Sequence, residues 1–299
     1  MEQVFHIPVM FNEVINYLNL RPGKIIVDAT IGTGGHSKGV LERILPGGRL
    51  IGIDRDQESL EVCRKRLVDF SGSCEFVHAN FIDIDKILEN LNIKKVDGIL
   101  FDLGVSSFQL EDPHRGFSFQ YEGPLDMRLD RESYICAYDL VNNLNEEEIS
   151  TMLWNFGQER WHNRIAHLLV QERERQPIAT TAQLANIVFR SIPHRYRQRH
   201  YRIHPATRTF QAVRIAVNRE LETLEIAINK AITILEKKAR LCVISFHSLE
   251  DRIVKLSFRR ASSEGLIDII THKPLVPSQC EIDANPSSRS SKLRVAQKQ

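Results

Sequence analysis

Short apolar runs rich in Ile, Val and Leu alternate along this chain with stretches whose apolar positions recur every three or four residues. That is the pattern of strands buried on both faces and separated by amphipathic helices. Runs at residues 25–27, 50–53, 74–79, 96–101 and 240–246 predict five strands. Between the first two, Val40, Leu41, Ile44 and Leu45 sit at helical spacing until Pro46-Gly47-Gly48 stops the helix. Residues 12–18, 57–68 and 82–91 predict further helices, the second with Leu60, Cys63, Leu67 and Val68 inward. From 108 to about 214 no strand run of comparable quality occurs. Helices are expected there up to Phe156, over 164–174 and over 181–189, with Asn145 and Glu148 as a capping pair. Residues 207–235 carry Phe210, Val213, Val217, Leu221, Leu224, Ile228, Ala231 and Leu235 at three- and four-residue steps, which predicts one long helix or two stacked ones. Two last strands are expected at 266–271 and 292–296. The sum is an α/β fold: a parallel sheet domain from residues 1–107 and 215–299, interrupted by a mainly helical domain at 108–214.

The first strand runs into Gly32, Thr33, Gly34 and Gly35, and the second is closed by Asp54. Glycines let a ligand approach the backbone, and the following helix offers unpaired N–H groups. An acid about 20 residues beyond such a loop is placed to accept the hydroxyls of an adenosine ribose. The dinucleotide fingerprint wants a third glycine where Ser37 stands, which disfavours NAD. No Gly-Lys-Ser/Thr follows, which argues against a nucleoside triphosphate loop. An adenosine cofactor without phosphates remains, namely S-adenosylmethionine. Phe81, just past the third strand, is placed either to lie against an adenine ring or to cap the next helix from the core. Asp102, closing the fourth strand before Gly104, Ser106 and Ser107, marks the edge where ligands of open α/β sheets bind. It would hold a nucleophile before the cofactor or bind the cofactor itself. His247 and Ser248 follow the fifth strand at the same edge, but no G-x-S-x-G elbow supports a serine hydrolase.

Composition narrows the setting. The 299 residues carry a formal net charge of +2. No run approaches the roughly 20 apolar residues that cross a bilayer, so a cytoplasmic protein without membrane contact is expected. Cys63, Cys74, Cys136, Cys242 and Cys280 are scattered without Cys-x-x-Cys spacing, which predicts reduced thiols and no metal. Charge is uneven, however. Between Arg190 and Arg208 lie Arg195, Arg197, Arg199 and Arg202, interleaved with Tyr196 and Tyr201 and free of any acid. Such a stretch neutralises phosphates and stacks on bases, or else is a solvated loop balanced by acids elsewhere.

The blocks DATIGTGGHS, IDRD, DLGVSSFQL, RGFSF, GPLDMRLD, HPATRTFQAVRI, SFHSLEDRIVK and NPSSRSSKLR, in this order, resemble the bacterial 16S ribosomal RNA cytosine-N4 methyltransferase family (RsmH, formerly MraW). The resemblance covers nearly the whole chain. It implies a class I, Rossmann-like methyltransferase sheet with an inserted helical domain and S-adenosylmethionine as donor. It also implies, as substrate, the exocyclic N4 of a cytosine in the decoding centre of 16S rRNA within the small ribosomal subunit. Carried over block by block, cofactor contacts fall on Gly34, Gly35, His36, Asp54, Phe81, Asp102 and Gln109, of which His36 and Gln109 rest on the resemblance alone. Asp102 is also the catalytic candidate. RNA contacts are expected at Arg195, Arg197, Arg199, Arg202, Arg208 and His247, and the insertion is either a substrate cover or a homodimer surface. Ser287 departs from the family pattern where an Arg is common. Two other readings stay open: a nicotinamide-dependent oxidoreductase on a similar sheet, and a ribosome-assembly factor that keeps the fold without chemistry.

Overall fold

The computed structural model describes residues 8–197 and 204–299, without the side chains of Arg195 and Arg197. Seven strands, β1 (Ile25–Asp28), β2 (Arg49–Asp54), β3 (Cys74–His78), β4 (Val96–Asp102), β5 (Leu235–Ser245), β6 (Ile267–Ile269) and β7 (Lys292–Lys298), form one sheet. Their order is β3-β2-β1-β4-β5-β7-β6. The first five run parallel, while β7 pairs antiparallel with β5 and β6 antiparallel with β7. The chain leaves β1 toward β2 and β3, then returns to lay β4 on the other flank of β1. That reversal opens a crevice outside the carboxyl ends of β1 and β4, the place where such sheets bind ligands.

Side-chain alternation divides the core into two layers. Val27, Ile51, Ile99, Phe101, Leu241 and Val243 point to one face, with Ile84, Leu88, Leu224, Ile228 and Phe258 from helices. Ile26, Leu50, Leu100, Cys242, Ile244 and Val295 point to the other, beneath Val14, Val40, Leu41 and Leu60. Burial on both faces explains why β1, β2 and β4 read as unbroken apolar runs.

Two compact units result, one of residues 1–104 with 221–299 and one of residues 105–220. The second packs the helices Glu146–Gly157, His162–Arg175, Thr181–Ser191 and Thr207–Asn218 around Ile149, Leu153, Ile165, Leu169, Leu184, Val188, Phe210 and Val213. Asn145 caps the first of these as expected: its Oδ1 accepts the Glu148 N–H at 2.9 Å, and Glu148 Oε2 accepts the Asn145 N–H at 2.8 Å. The apolar stretch 207–235 is two helices, because Arg219 takes φ +50° between Thr207–Asn218 and Glu220–Ile234. Among the described residues no helix is long and apolar enough to cross a membrane.

Candidate active site

The glycine loop is stitched across the carboxyl edge of the sheet. Ala29 N–H donates to Leu100 O of β4 at 2.9 Å, and Ile31 N–H donates to Ile53 O of β2 at 3.0 Å. Gly32 N–H then donates to Asp54 Oδ2 at 2.8 Å, while Asp54 Oδ1 accepts the Asp56 N–H at 2.9 Å. Gly34 needs its missing side chain twice over. Its φ is +80°, and a Cβ there would lie 2.8 Å from Cys63 Sγ and 3.2 Å from Leu67 Cδ1. Gly35 opens the helix Gly35–Ile44, where a Cβ would meet Pro8 Cγ at 3.0 Å. Two residues on, Ser37 is fully buried and its hydroxyl donates to Asp28 Oδ2 at 2.7 Å.

Three carboxylates therefore end three adjacent strands: Asp54 on β2, Asp28 on β1 and Asp102 on β4. Asp28 is pushed up to about 6 by burial, with the Asp54 charge adding and the Ser37 hydroxyl and Thr30 N–H opposing. Asp54 is likewise pushed up to about 6, by burial first, against the N–H groups of Asp56 and Gly32. Asp102 is raised well above the usual carboxylate range by burial and by the charges of Asp28 and Glu250. Its Oδ1 is buried without a hydrogen-bond partner. Its Oδ2 lies 3.4 Å from Nδ1 of His36, and that histidine is held down to about 4 by burial. Because Nε2 of His36 faces the Val9 carbonyl at 2.9 Å, Nε2 carries the ring proton and Nδ1 presents a lone pair to Asp102. A proton on Asp102 satisfies both groups. Among the described residues no lysine or arginine pairs with any of the three acids. The edge is thus a desolvated anionic cradle, suited to a cation and hostile to phosphates.

Comparison with known proteins decides the lineage. The sequence model of the MraW methylase family matches residues 3–299. The chain belongs to that family. A "Ribosomal RNA small subunit methyltransferase H" from Sulfurihydrogenibium sp. is 46% identical over 99% of both chains. Proteins of the same name from Geotalea uraniireducens and Halothermothrix orenii are each 45% identical, over 100% and 98% of both chains. Among solved structures, an rRNA methylase from Streptococcus thermophilus matches 98% of this chain and 99% of its own at 12% identity and a TM-score of 0.46, too distant to carry an argument.

In this member of the family the sequence-derived residues fall in both units. Gly34, Gly35, His36, Asp54 and Asp102 lie together at the loop and strand ends of the sheet unit. Phe81 is half-buried in the same unit and meets Phe101 edge-on at 5.5 Å, so part of its ring is core. Gln109 belongs to the helical unit, where it is buried and its Oε1 accepts the Ser106 N–H at 2.9 Å. His247 caps the helix Ser248–Ser263 in the sheet unit, with Nδ1 accepting the Glu250 N–H at 3.3 Å. Arg208 is exposed on the helical unit. Arg199 and Arg202, and the side chains of Arg195 and Arg197, lie outside the described residues.

Sequence reasoning passed over Asp28, Thr30 and Glu250. Thr30 Oγ1 accepts the Asp102 N–H at 2.6 Å, tying the loop to β4. Glu250 is 2% exposed, and its Oε2 accepts the Phe246 N–H at 2.8 Å. An acid closing β1 four residues before Gly32 was the available signal for Asp28, and the three-residue spacing of His247 and Glu250 was the signal for the cap.

Proposed function

We propose that this chain transfers the methyl group of S-adenosylmethionine to the exocyclic N4 of a cytosine in the decoding centre of 16S rRNA, on the small ribosomal subunit in the cytoplasm. One observation carries the choice of cofactor: three neighbouring strand-end acids, one buried and two half-buried, with raised pKa values and no cationic partner among the described residues. A cationic ligand relieves that strain, whereas the pyrophosphate of a nicotinamide dinucleotide would add to it. Ser37, bonded to Asp28, fills the place where a dinucleotide loop keeps a glycine. The RNA substrate is supported by membership of a methylase family and by relatives named for the small ribosomal subunit.

The residues present fit the cofactor. S-adenosylmethionine, when bound, supplies an already activated methyl group on a sulfonium. Each oxygen of Asp54 takes one backbone N–H and keeps a second lone pair for a ribose hydroxyl. The unpartnered Oδ1 of Asp102 is an acceptor for an ammonium or for an N4–H of the base. Gly34 and Gly35 allow close approach at the helix start, and the free face of Phe81 suits adenine. His36 fixes the Asp102 carboxyl, and we assign Gln109 to the same cofactor. Chemically the task is alignment: N4 of cytosine is a weak nucleophile, Asp102 or a backbone carbonyl after it would accept the hydrogen bond that localises its lone pair, and the one proton that N4 sheds on methylation would pass to solvent. We assign Arg195, Arg197, Arg199, Arg202, Arg208 and His247 to RNA contact.

The direct test incubates the protein with labelled S-adenosylmethionine and small subunits from an unmodified strain, then maps the label by mass spectrometry. Label on N4 of one decoding-centre cytosine is the expected result. Label on another base, or on protein only, would sink the reading.

A further inference from the structure

One surface of the helical unit has chemistry that neither the fold nor the methyl-transfer site uses. The turn after the helix Glu146–Gly157 brings Arg160 over two rings at once: its guanidinium carbon is 4.4 Å from the centroid of Trp161 and 4.9 Å from that of Tyr196. The two rings are themselves 5.2 Å apart. Trp154, 55% exposed, stands on the adjoining helix against His162 at 5.1 Å. The turn is built to hold this arrangement, because the buried Glu159 accepts the Trp161 N–H at 2.9 Å.

The arginines around the turn form no ion pair among the described residues. Arg160 is exposed and, among the described residues, makes no hydrogen bond and no ion pair. Arg164 and Arg208, also exposed, donate only to the backbone, at Ser191 O (3.0 Å) and Gln158 O (3.3 Å). Elsewhere on the same unit arginines are neutralised: Arg128 by Asp126, Arg190 by Glu172 and Arg214 by Glu220. Tyr196 also lies within the acid-free stretch between Arg190 and Arg208. One exposed and two half-buried rings beside guanidinium groups that no acid neutralises suit an unpaired nucleic acid strand: faces for bases and donors for phosphates. A protein partner would need acids to match, and a duplex offers no free base faces.

We propose that the Arg160–Trp161–Tyr196 stack is a single-strand RNA contact, in which Arg160 bonds a phosphate and the rings stack an unpaired base of the substrate RNA. The proposal rests on the RNA substrate argued above and names residues that reading did not contain. To test it, the full chain, wild type, Arg160→Met and Tyr196→Leu, is titrated against a labelled unpaired oligoribonucleotide of about 16 nucleotides and against an RNA duplex of the same length. Both variants should lose about tenfold in affinity for the single strand. Arg160→Met should also flatten the salt dependence by about 0.7 in log–log slope, the share of one phosphate. Melting temperature and calorimetric affinity for S-adenosylmethionine should stay at wild-type values, which a merely structural staple would not allow. Unchanged single-strand affinity in both variants, equal losses on the duplex, or no RNA binding by the wild type would each overturn it. A chain that binds RNA in this way yet transfers no methyl keeps the surface and loses the reaction. Normal methylation, with KM for small subunits unaltered in both variants, does the reverse.

Discussion

Replacing Asp28 by Asn should stabilise the protein near neutral pH and lose that gain in acid, where only a small cost at Ser37 remains. Asp28 is 2% exposed, and burial, aided by the charge of Asp54, lifts its carboxyl from 3.8 to about 6. A native pKa above the unfolded one means that folding favours the protonated acid. The penalty of ionised Asp28 is absent below about pH 4, grows as pH rises and is complete above about pH 6. The shift to about 6 corresponds to about 3 kcal/mol. An asparagine keeps the shape and both contacts: its amide donates to Ser37 Oγ, now 2.7 Å from Oδ2, and its carbonyl accepts the Thr30 N–H, now at 3.3 Å. Ser37 must then redirect its proton, at about 1 kcal/mol. The net gain is about 2 kcal/mol, a rise in Tm of about 4–8 °C. Thermal melting of both proteins without cofactor, followed by circular dichroism at about pH 4, 6 and 8, reads it directly. A Tm difference that does not depend on pH, or a loss at about pH 8, would refute the account of a strained, charge-crowded edge.

Gly34→Ala should cost about 2–4 kcal/mol in chemical denaturation, because it adds left-handed strain to a clash with Cys63 Sγ at 2.8 Å; a Cys63→Ala background should recover part of the loss. Asp54→Ala should weaken S-adenosylmethionine binding by about 10- to 100-fold in calorimetry, and an unaltered Kd would remove Asp54 from the site. Asp102→Asn keeps the shape but puts an amide in place of the carboxyl; methylation of small subunits at the wild-type rate would show that the carboxyl is not needed. In the wild type, donor affinity should fall about tenfold or more between about pH 7 and pH 5, since Asp28 and Asp54, each at about 6, take up protons that compete with a cation. A flat profile over that interval contradicts the cationic cradle.

Much of the sheet was legible because strands buried on both faces announce themselves locally: β1, β2 and β4 are apolar almost without interruption, and each ends in an acid. The Asn145–Glu148 cap was legible for the same reason, its whole geometry lying within four residues. Where exposure interrupts the pattern the reading shortened or merged elements. Strand β5 starts at Leu235 rather than near residue 240, because Glu236, Lys237 and Lys238 are exposed and hide the pairing. Whether 207–235 was one helix or two stacked ones stayed open, and the break at Arg219 had no place, because the apolar steps continue through it and a left-handed arginine has no local signature. The antiparallel return of β7 beside β5 is a long-range pairing that no short window contains.

The chemistry of the site was the least legible part, and for a physical reason. Ser37 read as a missing glycine, yet its hydroxyl bonds the acid that the strand before it buries. Asp54 and Asp102 stood out singly as acids closing strands beside the glycine loop, whereas Asp28 looked like an ordinary strand end. What makes them a site is that β4 returns to lie against β1, which places Asp102 where Asp28 and Glu250 raise its pKa. Periodicity encodes which side chains are buried, while charge crowding depends on which buried ends become neighbours. The acids therefore acquire their mutual charge crowding from the crossover, and a permuted strand order with the same local sequences would leave three unremarkable carboxylates.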